Sequence, residues 1–320
     1  MIKRIFNGIF QTAFFSQLLG GLDDAAARRP NQLRVLTYHR INDQAGFKQQ
    51  MQYLAKHFYV VSQSELAEAW RGNRSLPPRS VMITFDDAYR NFAECAWPIL
   101  QCDHLPVTLF VPTAFPDHPE LVFWWDQLEH AFAHTQRSAP LNTPQGPLPL
   151  ATRTERVQAY KRARTIIKTR PHIEAMALVE RFLADLNVPA PESQVLGWND
   201  LRRLAGEGVT LGAHTRTHPM LKRVPVQQAR EEASRSLEDL KREIGSAAPI
   251  FAYPDGQFTP EVVKAIGESG FEFAFTTLRG SNDIKQAERL RLRRNNVGVA
   301  AARPVLQLRL LQAALFNGQR

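Results

Sequence analysis

Two adjacent carboxylates close one apolar run of this chain, and two histidines four residues apart close another. The first run is Ser80-Val81-Met82-Ile83-Thr84-Phe85-Asp86-Asp87, and the second is Leu211-Gly212-Ala213-His214-Thr215-Arg216-Thr217-His218. In α/β folds functional groups gather at the C-terminal ends of strands. Side-by-side carboxylates repel, so one is expected to be neutralised by a cation or to have a raised pKa. Asp87 could equally cap a following helix. In a helical turn residues i and i+4 share a face, so His214 and His218 are expected to reach one ion. The spacing alone is weak: His130 and His134 repeat it mid-helix, away from any carboxylate pair in the chain, and read as a solvated helix face. Taken together the two strand ends suit one catalytic metal. Two neutral imidazoles and one carboxylate leave coordination positions open, the ion would acidify water and polarise a carbonyl, and the other carboxylate would take the proton.

The elements that must position these groups alternate. Leu33–Tyr38, Ser80–Phe85, Val107–Val111, Val209–Ala213, Ile250–Tyr253 and Phe273–Thr277 are continuous apolar runs that read as buried strands. Helical spacing fills Phe47–His57, Ser64–Arg71, Tyr89–Cys102, Val226–Ile244 and Pro260–Ser269, with starts at Ser64-Glu65 and Thr259-Pro260 and stops at Gly245 and Gly270. Such alternation argues for a parallel sheet, open or closed into a barrel. Residues 115–197 break the rhythm: Trp124–His134, a Pro-rich loop and basic helices read as a helical insertion over one barrel face.

Composition sets outer limits. The chain has 320 residues, 44% of them hydrophobic and 22% charged, enough for a sizeable core. The net charge of +9 favours acidic partners (nucleic acid, anionic lipid or an anionic glycan) without ranking them, and no nucleic-acid recognition motif accompanies it. Seven Lys or Arg residues fall in Arg153–Arg170, a solvated face or a surface for an anionic glycan or lipid phosphate. Cys95 and Cys102 are the only cysteines, and one helix would place them about 10 Å apart along its axis, too far for a disulfide; both are expected to be buried and inert. Lys3 and Arg4 precede apolar residues at helical spacing from Ile5 to Leu19, while Asn7, Gln11, Ser16 and Asp23-Asp24 disfavour a signal peptide. An amphipathic N-terminal helix is expected, which could lie on a membrane surface. The expected location is cytoplasmic, peripheral to the inner membrane, with export left open.

Thr84-Phe85-Asp86-Asp87 and the later His214-Thr-x-x-His218 resemble the first two signature motifs of the polysaccharide deacetylase family of carbohydrate esterases. Val35–Arg40, Leu105–Val111, Phe251–Gly256 and Leu292–Val297 have counterparts in the same order, so the resemblance spans about residues 33–299. It implies a distorted (β/α) barrel of about seven parallel strands carrying the helical insertion at about 115–197. Residues 1–32 would form the N-terminal helix and linker, and residues 300–320 a C-terminal helix. It further implies Asp86 as general base, Asp87, His214 and His218 as ligands to a divalent metal, usually zinc, and the Tyr253 backbone N–H as an oxyanion donor. Pro254 and Gly256 would shape that turn. Cobalt, nickel or manganese would also suit such a site.

This chain departs from the family pattern at three points. Ala88 replaces the usual Gly after Asp87, which is tolerable if the backbone there avoids positive φ. Phe251-Ala252 stands where chitin-type members carry an Arg that orients the base; Arg294 is the candidate replacement, unless it belongs to a surface cluster with Arg289, Arg291 and Arg293. The late Leu-x-His motif that supplies the acid is missing, which leaves His39, or Asp86 returning its proton; His39 could also be a core histidine. Trp124, Trp125 and Asp126 would line a sugar groove or pack in the interior. The resemblance implies removal of acetyl groups, N-acetyl before O-acetyl, from an N-acetylhexosamine-containing glycan, with exopolysaccharide assembly as one setting. Alternatives are hydrolysis of another non-peptide C–N bond, or glycan binding with weakened catalysis.

Overall fold

The computed structural model describes residues 29–298 and 303–315. The N-terminal helix expected before residue 29 lies outside the described residues. Nine strands form one sheet: β1 (Gln32–Tyr38), β2 (Tyr59–Val60), β3 (Ser80–Phe85), β4 (Thr108–Val111), β5 (Thr210–Ala213), β6 (Ile250–Ala252), β7 (Phe273–Phe275), β8 (Asn282–Asp283) and β9 (Arg294–Asn296). Neighbours run β7-β6-β5-β4-β3-β1, all parallel, and β9 continues in parallel beyond β1. Leu292 bridges Phe275 of β7, and two residues later Arg294 pairs with Val35 of β1. This segment joins the two ends of the curled sheet, giving a distorted barrel. β8 adds an antiparallel pair to β1, and β2 a short parallel pair to β3.

Side chains alternate across the sheet, as the strand period of two requires. Leu33, Val35, Met82, Phe110, Ile250, Ala252, Phe273, Phe275 and Leu292 pack together inside. Their neighbours in sequence, among them Leu36, Ile83, Phe85, Leu109, Val111, Leu211 and Phe251, pack against the helices. Both faces are buried, which is why these strands read as unbroken apolar runs. Gly212 is required by this packing: a Cβ there would lie 2.7 Å from the Phe110 ring and 2.8 Å from Ile250.

The helices covering the barrel are α1 (Gln44–His57), α2 (Gln63–Trp70), α3 (Trp97–Cys102), α4 (Trp124–His134), α5 (Arg153–Lys168), α6 (His172–Leu186), α7 (Trp198–Gly206), α8 (Val226–Ile244), α9 (Pro260–Glu268) and α10 (Arg303–Leu315). None of the described helices is long and apolar enough to cross a membrane. α2 starts at Gln63, one residue before the expected Ser64, because Ser62 is the N-cap and forms a reciprocal capping box with Glu65. The expected helix Tyr89–Cys102 is broken by a π turn at Phe92–Ala96. Pro98 at the start of α3 has no N–H to donate to the preceding turn, which favours that wider turn. Cys102 ends α3, beyond its buried Trp97 and Leu100, so it is exposed and Cys95 half-buried, against the expectation of two buried thiols. Helices α4, α5 and α6 share a core of their own, including Leu128, Phe132, Ala163, Ile167, Val179 and Phe182. They pack beside the C-terminal mouth of the barrel, where Trp125 meets the main core.

Candidate active site

β3 delivers Asp86 and Asp87 to the barrel mouth, and β5 delivers His214. Asp86 follows the inward alternation through Met82 and Thr84, so its carboxylate enters the barrel. Arg294 of β9 meets it there: Nη1 and Nη2 lie 2.7 Å from Oδ1 and Oδ2 respectively, and Nε donates to the Thr276 carbonyl at 2.9 Å. The guanidinium stands 5.6 Å over the Phe110 ring and its side chain has no solvent exposure. Arg294 is therefore an interior residue, not part of the surface cluster that Arg289, Arg291 and Arg293 would suggest. Burial alone would raise the Asp86 pKa; the Arg294 charge, with His214 and His39, holds it below the ordinary carboxylate value.

Asp87 turns away from Asp86 because its backbone adopts φ 72°. Its Oδ1 lies 3.4 Å from His214 Nε2 and 3.3 Å from His218 Nε2, and the two nitrogens are 3.2 Å apart. An ion held tetrahedrally at about 2.0–2.2 Å from each donor would space them about 3.3–3.6 Å apart, so the three atoms fit such an ion without rearrangement. Two further observations agree. His214 Nδ1 lies 2.8 Å from the Ala252 carbonyl, which fixes the proton on Nδ1 and leaves the Nε2 lone pair free. Asp87 Oδ1 is buried without a hydrogen-bond partner, a costly arrangement unless a cation meets it. Burial raises the Asp87 pKa, but the two histidines hold it well below the ordinary range. Burial lowers His218, whereas at His214 the two carboxylates outweigh burial and raise it.

The His214–His218 segment is a loop and not the helical turn expected from its spacing. Positive φ at Thr215 (64°) and His218 (60°) folds the second imidazole back on the first. Glu232 of α8 holds this loop: its Oε2 accepts the Arg216 and Thr217 N–H groups at 2.8 and 2.7 Å, and its Oε1 the Thr217 hydroxyl at 2.6 Å. Ala88 also has positive φ, 49°, so the backbone does demand there the conformation that Gly adopts most easily, and the expectation that an Ala avoids it is corrected. Of the residues with positive φ, Asp87, His218 and Asp255 line one cavity, and Ala88 and Thr215 adjoin lining residues in the chain.

A cavity of about 180 Å³ opens over these groups. His39, Asp86, Asp87, Trp124, Trp125, His214 and His218 line it, together with Arg164, Lys168, Met220, Asp255, Thr277 and Asn296, which sequence reasoning did not select. His39 is partly exposed, with Nε2 4.0 Å from Asp86 Oδ2, and is not a core histidine. Trp125 packs edge-on to His218, ring centroids 4.9 Å apart. Asp126 is not a lining residue: it accepts from Arg40 and from the Tyr89 hydroxyl, which in turn accepts from Trp125 Nε1. The Tyr253 expectation is also corrected. Its N–H donates to the Phe275 carbonyl at 3.0 Å within the sheet, and its side chain points to the helix side, donating to the Leu290 carbonyl at 2.9 Å. Pro254 is buried outside the cavity, and Gly256, at φ 65°, sits against Thr277, so both shape a turn that presents Asp255 instead. His130 and His134 lie on α4 at a separate, shallow surface.

Residues 73–274 match the polysaccharide deacetylase family, well over half the chain, and the chain belongs to that family. Over 97 residues it is 29% identical to the poly-beta-1,6-N-acetyl-D-glucosamine N-deacetylase of Escherichia coli K12, a stretch covering 27% of this chain and 14% of that protein. The chain thus matches only a small part of that relative's length. The fold is similar to that of the Streptococcus pyogenes deacetylase PplD (TM-score 0.58, 18% identity, 89% of this chain and 99% of that one). It is also similar to the deacetylase domain of Bordetella bronchiseptica BpsB (TM-score 0.54, 16% identity, 83% of this chain and 95% of that one).

Proposed function

We propose that this protein is a metal-dependent hydrolase that removes N-acetyl groups from an N-acetylhexosamine-containing glycan of the exopolysaccharide type. The observation that carries the reading is the triangle of Asp87 Oδ1, His214 Nε2 and His218 Nε2, 3.2–3.4 Å on a side, beside an Asp86 that takes no part in it. Those three atoms would hold a divalent ion, with zinc suited to the mixed imidazole and carboxylate set. When bound, the ion supplies Lewis-acid polarisation of the acetyl carbonyl and makes a water more acidic.

The remaining work falls to side chains of this chain. Asp86 stays ionised through the neutral range because Arg294 faces it, so it is ready to accept the proton of the attacking water. Arg294 occupies one edge of the Asp86 carboxylate and fixes its plane, leaving the other lone pairs toward the cavity. His39, at the rim of the same cavity, would protonate the departing amine in place of the missing late motif. Trp124 and Trp125 offer flat faces for a sugar ring. The family membership and the N-deacetylase name of the Escherichia coli relative support the acetamide as substrate group.

The test is acetate release from defined N-acetylated and O-acetylated oligosaccharides, with Asp86→Asn as control. Release from the N-acetylated set that is lost in the variant supports the proposal. Equal release by variant and wild type would remove Asp86 from the role of base.

A further inference from the structure

Arg164 and Lys168 stand one helical turn apart on α5 of the insertion, so they share a face, and both border the cavity that contains the Asp87, His214 and His218 triangle. Lys168 is neutralised by an ion pair with Asp255. Arg164 rests on the Tyr160 ring, 5.5 Å from its centroid, and among the described residues no carboxylate pairs with it. Beyond Asn296, which borders both spaces, a second cavity of about 260 Å³ is lined by Arg279 and Arg309. The Arg309 Nε there is buried without a hydrogen-bond partner. The floor of the site is anionic, but its approaches carry guanidinium groups that meet only neutral partners, such as Tyr160 and Gln312, and no carboxylate among the described residues.

A neutral glycan offers such a group only hydroxyl oxygens. A carboxylate or a phosphate matches its planar fork with two charge-assisted hydrogen bonds. A half-buried cation without an anion is also a standing desolvation cost that such a ligand would offset. Arg164 belongs to the helical insertion and not to the strand ends that hold the triangle, so it can select a substrate without altering the groups assigned to bond cleavage.

We propose that the glycan deacetylated here carries an anionic group, a uronate carboxylate or a sugar phosphate, and that Arg164 at the α5 rim of the cavity binds it. This rests on the deacetylase reading for the identity of the neighbouring acetylated sugar. The test measures binding separately from catalysis. Intrinsic tryptophan fluorescence of the zinc-loaded full chain is titrated with three probes: a neutral chitin tetrasaccharide, a hyaluronan tetrasaccharide and N-acetylglucosamine 1-phosphate, the last compared with free N-acetylglucosamine.

One anionic probe is expected to bind about ten-fold tighter than its neutral counterpart at low salt. Arg164→Gln should bring the two Kd values together, and Arg164→Lys should restore part of the difference. Whether the uronate or the phosphate probe shows the preference tells the two sources apart. Equal Kd values for charged and neutral probes, failure of both anionic probes to bind, or a preference that survives in Arg164→Gln would overturn the proposal. Absence of acetate release from every probe defeats the deacetylase reading instead, and the Kd comparison still decides this one.

Discussion

Arg294 grips Asp86 through two parallel hydrogen bonds of 2.7 Å, across 208 residues of sequence and with both side chains buried. Removing the guanidinium would leave a buried carboxylate unpaired. Arg294→Met is therefore expected to cost about 3–5 kcal/mol at neutral pH, measured by denaturant unfolding. The pH dependence carries a sign. In the wild type the depressed Asp86 pKa contributes stability that is present above the unfolded value and lost as pH falls through the folded value. In the variant burial acts without the Arg294 charge and raises that pKa, so the deficit should shrink as pH falls from that raised value towards the depressed value of the wild type. The acid limb of kcat/KM should move to higher pH. A deficit independent of pH would mean that Asp86 does not titrate through this pair.

Glu232 accepts three hydrogen bonds from the loop between the two histidines. Glu232→Ala removes that support without touching the triangle. Zinc affinity, measured by competition with a chromophoric chelator, is expected to fall about 10–100-fold, the usual cost of losing an outer partner of a ligand. Unchanged affinity would show that Thr215 and the backbone hold the loop unaided.

His39, which lines the cavity, is the residue proposed above as the proton donor that the sequence motifs leave unassigned. His39→Ala is expected to lower kcat by about 10²–10⁴ with a smaller change in KM, the range for loss of a general acid. A kcat unchanged across pH would return the donor role to Asp86.

Gly212 lies on β5 against Phe110 and Ile250 of the barrel interior. Gly212→Ala places a methyl 2.7 Å from the Phe110 ring, so the interior must shift. Thermal unfolding should show a loss of about 1–3 kcal/mol, the cost of overpacking a core. Tyr253→Phe is the contrasting case. It gives up one hydrogen bond to the Leu290 carbonyl and about 1 kcal/mol, and it should leave kcat/KM unchanged because the side chain faces away from the cavity.

Much of this site was legible because β3 and β5 end abruptly. Each is a run of apolar residues buried on both faces, and the polar residue that follows has nowhere to project but the barrel mouth. Asp86, Asp87 and His214 could be read from that pattern, and the four-residue spacing to the next histidine added His218. β9 was harder, since Arg294-Asn295-Asn296 has no apolar signal: it is a strand because Leu292 and Arg294 bridge β7 and β1, which is a property of closure and not of local composition. Arg294 for the same reason looked like one of four clustered arginines. Glu232 left a fainter trace, an acidic residue next to the apolar face of α8 formed by Ala229, Ala233, Leu237 and Leu240. Arg164 could not be told from its neighbours: the basic stretch was legible as a possible surface for an anionic glycan, but its seven basic residues share one composition and only packing tells which two face the cavity.

Zinc-dependent acetate release decides whether Asp87, His214 and His218 hold a metal on which hydrolysis depends. The protein is stripped with a chelator, and release from an N-acetylhexosamine oligosaccharide is followed while zinc is added back, in wild type and in His214→Ala. Negligible release by the stripped protein, recovery that saturates near one zinc per chain, and no recovery in the variant are expected. Undiminished release by the stripped wild type, or full recovery in His214→Ala, would contradict that dependence.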